Sequence, residues 1–538
     1  MGISIASKNK FALVIHGEVS ERQKKDTYEH YTFISLISWK ITELPKGLTC
    51  PNLEFLLLDC RGLEELPCKF FEGMEKLKVL VLDHFNGILA LPPSLRNLHT
   101  LSLPNFNGKL ENVSEFGGLC NLKTLCFRNS RRMEELPEEI GELVSLSLLD
   151  LTGYYGLRKR IPPNVISRLV NLEELYVGGV VDLRKGRRVD FKKLYGRSKF
   201  KDWEGEGKEE EGRNANLREL EFLSNLNTLE IFVRSDVLIP KVRIFSKLKI
   251  YKVIIVQDYD KYNIKFYSSR SEEDVWDKEL EDEIYNLFGK CKRVFMVGSS
   301  IPVPSDRGGI DSLLRRSDCL CLKGKGCNDL VQALLLRFPK LEVLKLVNLP
   351  SLKRFCRGID QIDFPQLKEL CLAELQKLTV ERCNSLEVVF ELEGLECNEP
   401  KPEILSPLKL VELRDLPKLN CISKRDPVGF KYIQTLQIWK CNSLRYVFAP
   451  TMTKSIPQLR KLEISRCEML SRIVAEENGL GESSVDEVEF PQLERLELLD
   501  LPNLVSFFPN VNVNTTTLAK STDHYHNPLQ PQPLFNDK

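Results

Sequence analysis

The chain has 538 residues, 42% hydrophobic and 28% charged, with a formal net charge of +1. That is ample for a large buried core, and the near-zero charge gives no global field toward nucleic acid or a membrane surface. No window of 18 or more uncharged apolar residues occurs, so no transmembrane helix is expected.

The opening "MGISIASKNKFALVIHGE" has no basic n-region, and its apolar runs are short and broken, unlike a secretory signal. Its sixth residue is Ala6, where a myristoylation signal carries Ser or Thr. A cytoplasmic location is the expectation. From residue 53 a repeat sets in. "LEFLLL" starts at Leu53, "LKVLVL" at Leu77, "LHTLSL" at Leu98, "LKTLCF" at Leu122, "LSLLDL" at Leu146 and "LEELYV" at Leu172. Their spacing matches the 20- to 29-residue leucine-rich repeat, L-x-x-L-x-L-x-x-N/C-x-L. The x-L-x-L-x core predicts a short strand whose leucines point into the coil and whose x positions line an outer sheet. "ELP" at 43–45, 65–67 and 135–137 and "ALP" at 90–92 predict where the chain leaves the sheet, because proline gives no N–H to a ladder.

The order then weakens. Residues 184–201 hold nine Lys or Arg against one Asp, and 204–211 reverse the sign. Without interleaved aromatics this reads as a solvated insertion, not a nucleic-acid patch. "LNTLEI" at 226–231 resumes the repeat, while 257–310 fits it poorly, with a helix expected around 274–288. A second group of repeats follows from Leu341, with larger spacing and an apolar residue plus proline before most strands. Within it "RCNSLEVVFE" (382–391), "KCNSLRYVFA" (440–449) and "RCEMLSRIVA" (466–475) are copies of one stretch. They put Cys383, Cys441 and Cys467 at the ninth repeat position, where the chain turns away and a small polar side chain bonds to the backbone. These thiols are expected to be neither disulfide-bonded nor metal-bound. Cys441→Asn is expected to be nearly neutral and Cys441→Leu costlier. Cys319, Cys321 and Cys327 lack zinc-site spacing.

One step is irregular. "LKELCL" begins at Leu367 and "LQKLTVERC" at Leu375, and both have the strand pattern only eight residues apart. They cannot both be successive rungs, so a local break is expected near 367–383. The tail, 510–538, reads as disordered. The expected fold is an α/β solenoid: a leucine-rich-repeat horseshoe with a parallel sheet on the concave face and an irregular or short-helical convex side. Its parts are N-terminal repeats over 36–180, the insertion over 181–216, repeats over 217–256, the irregular segment 257–310, C-terminal repeats over 311–509, and the tail.

Several segments resemble plant intracellular immune receptors of the nucleotide-binding, leucine-rich-repeat type, the coiled-coil subgroup most of all. "ISIASKNKFALV" resembles the segment after the nucleotide-binding module, "TELPKGLTCPNLEFLLL" (42–58) the first repeats, "DWEGEGKEEEGRNANLREL" (202–220) the mid-solenoid insertion, and 441–470 the C-terminal repeats. The resemblance implies that residues 1–35 are a linker remaining after a missing nucleotide-binding module. No G-x-x-x-x-G-K-[ST] phosphate loop occurs, so no nucleotide and no other cofactor is expected. It also implies that the repeats recognise a protein: a pathogen effector, a guarded host protein or the receptor's own nucleotide-binding module. The outward strand positions expected to do so are Glu412, Arg414, Gln437, Trp439, Lys461, Glu463, Arg495 and Glu497, with Trp439 foremost because buried Trp dominates interfaces. An alternative is a stand-alone adaptor such as a ubiquitin-ligase substrate-binding subunit, but residues 1–35 are too short for an adaptor-binding module. None of the six histidines falls in a catalytic motif, so no enzyme is expected.

Overall fold

The computed structural model describes residues 12–16, 28–37, 50–59, 61–111, 113–130, 133, 135–152, 161–178, 215, 217–234, 243–256, 291–298, 310–327, 341–353, 375–390, 408–423, 431–448, 456–475 and 490–507. The chain forms two compact units, Met1–Phe295 with Asp306–Leu313, and Met296–Ser305 with Leu314–Lys538.

In the first unit each repeat contributes one strand, which begins two residues after its first leucine. Phe55–Asp59, Val79–Asp83, Thr100–Ser102, Thr124–Cys126, Leu148–Thr152, Glu174–Gly178 and Thr228–Arg234 pair in parallel, each with the next. Ile250–Val256 extends the ladder. The in-pointing leucines, such as Leu56, Leu80, Leu101, Leu125 and Leu149, are buried and stack from coil to coil. Such stacking is what a single repeat cannot achieve alone. Beyond the strands, Pro67, Pro92 and Pro137 stand immediately before the 3-10 turns Cys68–Phe71, Pro93–Asn97 and Glu138–Glu142. The fixed φ of proline suits this exit from the sheet.

Two expectations need correction. The linker expected over 1–35 contains rungs of the sheet: Ala12–His16 pairs with Phe33–Ile37, which pairs with Phe55–Asp59. The rings of Phe33 and Phe55 stack at 4.3 Å, so the ladder is packed there as well as hydrogen-bonded. The stretch 257–310 contains the strand Arg293–Gly298. The helix expected around 274–288, nearly all of the insertion 181–216 and the tail lie outside the described residues.

In the second unit Cys319–Lys323, Val343–Val347, Lys377–Glu381, Leu410–Arg414, Thr435–Trp439, Lys461–Ser465 and Arg495–Leu499 pair in parallel, each with the next. Val343–Val347 pairs directly with Lys377–Glu381 over five residues, so no strand intervenes. The rung is therefore the "LQKLTVERC" copy, and "LKELCL" lies outside the described residues. The ladder passes through 377–381 unbroken, and the rest of the break expected near 367–383, at 367–374, lies outside the described residues.

Polar ladders run beside the leucines. The side chains of Asn97, Asn121 and Asn171 each donate to a carbonyl of the preceding coil, at Glu75 (2.8 Å), Arg96 (3.0 Å) and Val144 (2.8 Å). The recurring Asn-Leu two residues before the strand is the sequence sign of this ladder. A longer tie joins the coils on either side of the insertion. The Glu219 carboxylate accepts the N–H groups of Asn164 (2.9 Å) and Ser167 (3.1 Å), capping the short helix Val165–Arg168 from more than 50 residues away. Glu219→Ala removes the acceptor of both part-buried hydrogen bonds. It is expected to lower stability by about 1 to 2 kcal/mol, measured by urea denaturation, with Glu219→Gln intermediate because one amide oxygen still accepts.

Candidate protein interface

Six of the seven described rungs of the second unit end the same way, and the other, Cys319–Lys323, is followed by Gly324 at a φ of 88°. The residue after the strand, Asn348, Arg382, Asp415, Lys440, Arg466 or Asp500, has a φ of 49° to 54°. That left-handed residue keeps its N–H in the ladder, as Asp415 does to Trp439 O (2.8 Å) and Lys440 to Ser465 O (2.9 Å), while the chain turns down into the coil. The turn brings the ninth-position residue inward. Cys383, Cys441 and Cys467 are all buried there. The Cys441 thiol donates to the carbonyls of Trp439 (3.6 Å) and Leu413 (3.8 Å), and the Cys441 N–H donates to Cys467 Sγ (3.4 Å). The backbone bonding expected of this position is present. Leu349, Leu416 and Leu501 occupy the same place in neighbouring rungs, each followed by proline. A leucine therefore fits the coil, and the cost expected for Cys441→Leu rests on the lost thiol bonds alone.

Burial pushes the Cys383 thiol from its ordinary value near 9 up to about 12. Its sign in stability follows. Between those values the folded chain holds a proton that the unfolded chain has lost, so stability falls as pH rises. Cys383→Ala is expected to remove a slope of about 1.4 kcal/mol per pH unit above pH 9. Denaturation midpoints of the two proteins at pH 8, 9 and 10 check it.

The uniform turn holds the open face of the sheet in register. Reading across the rungs, one row is Lys377, Leu410, Thr435, Lys461, Arg495. The next is Thr379, Glu412, Gln437, Glu463, Glu497, and the third is Glu381, Arg414, Trp439, Ser465, Leu499. All eight expected interface residues thus stand in these rows, on four consecutive rungs. They differ in exposure. Trp439, Gln437, Lys461 and Glu497 are half-buried and Arg495 is exposed. Glu412, Arg414 and Glu463 are buried, against the expectation of exposed positions. Rungs spaced about 4.8 Å apart let long side chains lie over one another. Lys377 Nζ reaches Glu412 at 3.0 Å, and Thr379 Oγ1 donates to the same carboxylate at 2.9 Å. Glu463 is contacted by Lys461 Nζ at 2.5 Å, Arg495 Nε at 3.7 Å and Gln437 Nε2 at 2.5 Å. These buried groups position their neighbours and leave contact to the half-exposed ones. The Trp439 ring has Lys440 Nζ 5.6 Å and the Arg466 guanidinium 6.0 Å from its centroid.

Sequence reasoning overlooked the matching positions elsewhere. Lys323 lies in the same sheet, and burial pushes its ammonium down to about 8. In the first unit Cys126, Asp150 and Tyr176 stand in one row. Asp150 accepts from Arg128 at 2.8 and 3.1 Å, and Tyr176 donates to Glu174 at 2.6 Å. Burial, then Glu174, raises the Tyr176 phenol. The signal was available, since these are the x positions of the same leucine pattern. Among the described residues no cluster of His, Cys, Asp or Glu could hold a metal ion, and no helix is long and apolar enough to cross a membrane.

Residues 355–468 match the family model for leucine-rich repeats of plant disease resistance proteins of the RPS2-like kind. The chain is 37% identical over 115 residues to disease resistance protein RFL1 of Arabidopsis thaliana, 21% of this chain and 13% of that protein. It is 32% identical over 145 residues to TMV resistance protein N of Nicotiana glutinosa, 26% of this chain and 12% of that protein. A probable disease resistance protein of Arabidopsis thaliana is 29% identical over 157 residues, 29% of this chain and 18% of that protein. The match thus spans less than a fifth of each relative's length. Among solved structures, a leucine-rich-repeat protein of Leptospira interrogans covers 87% of this chain and 92% of its own at 18% identity, with a TM-score of 0.39. The chain is thus a ladder of leucine-rich rungs whose residues 355–468 are similar to the leucine-rich repeats of RPS2-like plant disease resistance proteins.

Proposed function

We propose that the chain is the recognition region of an intracellular plant immune receptor, and that the open face of its C-terminal rungs binds a pathogen effector or a guarded host protein. The observation that carries this reading is the set of in-register rows on consecutive rungs. They present Trp439, Gln437, Lys461, Arg495 and Glu497 on a stiff backbone within the stretch that matches or adjoins the disease resistance repeats. A rigid strand surface loses little conformational entropy on binding, and Trp and Arg carry much of the energy when a partner covers them. The role is recognition and not catalysis, in the cytoplasm, without nucleotide or other cofactor bound by these repeats.

The test is co-expression of the full chain in leaf tissue with a panel of pathogen effectors, read as co-precipitation of tagged pairs. The expected result is an effector retained by the wild-type chain, lost with Trp439→Ala combined with Lys461→Glu, and kept by Asn503→Ala, which lies off the open face. Retention indifferent to the open-face substitutions would overturn the reading.

A further inference from the structure

The rung Arg495–Leu499 has an open edge. It pairs with Lys461–Ser465, and among the described residues no strand pairs with its other side. The Arg495 N–H donates to Arg460 O (2.9 Å), and the Leu499 carbonyl accepts from the Arg466 N–H (3.0 Å). Alternation along a strand then turns the backbone groups of Leu496 and Leu498 to the far edge. Such an edge is a template for another strand. The core beneath it is open as well. In the preceding rung Leu459, Leu462, Ile464 and Leu470 are wholly buried. Their counterparts Leu493, Leu496, Leu498 and Leu504 are only half-buried, and Val505 is 67% exposed. Each coil of a repeat stack is covered by its neighbours, and this one has a described neighbour on one side.

The side chains along the edge say which strand fits it. A second copy, placed antiparallel across a two-fold axis, opposes residues that face the same side, so the axis passes through one residue. On Leu496, the axis sets leucine against leucine and Arg495 of each copy against Glu497 of the other. Leu498 then meets the stem of Glu494. On Glu497, the axis opposes two glutamates to each other and Glu494 to Asp500. On Arg495, it opposes two arginines. On Leu498, it sets Asp500 against Leu496 and joins no opposite charges. Glu494 and Asp500 are 70% and 71% exposed and stand 3.8 Å from Arg460 and 3.5 Å from Arg466, so neither is strongly neutralised. Within one chain Arg495 donates to Glu497 (2.6 Å) and lies 3.7 Å from Glu463. The axis at Leu496 brings a second Glu497 beside each Arg495, and the four charges alternate in sign around it.

Beyond the recognition reading and independent of it, we propose that this edge binds the same edge of a second copy of the chain, antiparallel, with the two-fold axis at Leu496. The two sheets then run on as one. Backbone bonds between the facing Leu496 residues join them, the alternating Arg495 and Glu497 charges set the register, and the half-buried leucines lose water on the core side. An axis normal to the sheet keeps both open faces on one side, so Trp439 and Lys461 of each copy stay available to a partner.

The experiment is sedimentation velocity on the full chain from about 1 to 100 μM, where weak specific contacts register, with circular dichroism confirming that each variant folds. The wild-type chain is expected to pass from monomer to dimer in this range and no further. Arg495→Glu alone faces glutamate with glutamate, and Glu497→Arg alone faces arginine with arginine, so each is expected to weaken self-association about tenfold. The double variant restores the alternation in reverse and is expected to recover most of the loss. Mixed in equal amounts, the two single variants are expected to pair with each other more tightly than either pairs with itself. Lys109→Glu, exposed on the first unit, should change nothing. A chain that stays monomeric throughout, its edge covered by other residues of its own, would overturn the inference. So would growth beyond a dimer, as head-to-tail joining gives, dimerisation indifferent to both single variants, or a double variant as weak as either. Effector capture is read separately, so the recognition reading survives any of these results.

Discussion

Gly87→Ala is expected to destabilise the first unit by about 3 kcal/mol, the upper end of what overpacking costs. Gly87 sits where one coil crosses its neighbour on the side of the small sheet formed by Glu65–Leu66, Ile88–Ala90 and Lys109–Glu111. A Cβ there would stand 1.9 Å from the Glu64 carbonyl oxygen and 2.2 Å from its carbon. Those atoms are backbone, and the same oxygen accepts the Ile88 N–H at 2.9 Å, so nothing can swing aside. Gly108 repeats the geometry one coil later, with its Cβ 2.1 Å from Gly87 O. Two glycines make controls. Gly118 has open space and an ordinary φ, so alanine there should be neutral or slightly stabilising. Gly73 has open space but a φ of +78°, so alanine should cost about 1 kcal/mol from strain alone. Urea denaturation followed by circular dichroism ranks the four. Equal losses at Gly87 and Gly118 would mean that the coils do not cross as closely as described.

The second large effect concerns the buried pair under the open face. Lys377 Nζ lies 3.0 Å from Glu412, and both side chains are almost wholly out of water. Removing one partner leaves the other charge buried without this counter-ion, which ordinarily costs about 3 to 5 kcal/mol, whereas replacing both with apolar residues is often neutral. Lys377→Met is therefore expected to lose about 3 kcal/mol, Glu412→Leu a similar amount, and the double variant to recover most of it. Thr379 Oγ1, which donates to Glu412, keeps the recovery from being complete. A double-mutant cycle by denaturation measures the coupling. Additive losses would show that the pair is hydrated and that Glu412 is free to contact a partner after all.

The rungs were legible where an aliphatic residue holds both the first and the fourth place of the repeat, and each described strand among them starts two residues after the first place. The rungs that escaped reading differ at one of those places. Phe33–Ile37 has Tyr31 at the first and Cys319–Lys323 has Ser317, so the leucine run is interrupted although the later inward positions, Ile34 and Leu36 or Leu320 and Leu322, are apolar and buried. Tyr251 obscured another rung. It is fully buried as a leucine would be, but its hydroxyl needs an acceptor and finds the Leu313 carbonyl at 2.9 Å. The competing strand patterns at 367 and 375 were indistinguishable by periodicity, and only pairing to Val343–Val347 decides between them. The rows of the interface were also legible, because period-two alternation fixes which side chains face outward. Their exposure was not. Whether Glu412 meets solvent depends on Lys377 and Thr379 in another coil, 33 to 35 residues away in sequence, and no local pattern encodes that.

The interface rests on register, and cysteine cross-linking reads register directly. Thr435 and Lys461 are cross-strand partners, as are Lys461 and Arg495, while Thr435 and Arg495 are two rungs apart. Neighbouring rungs about 4.8 Å apart are within the span of a disulfide, and two rungs are beyond it. Paired cysteine substitutions at 435 and 461, and at 461 and 495, are expected to cross-link readily under mild oxidation, mapped by mass spectrometry of proteolysed chain, and the pair at 435 and 495 is not. Cross-linking of 435 to 495, or of 435 to 463 in preference to 461, would contradict the rows and with them the surface that places Trp439 beside Ser465.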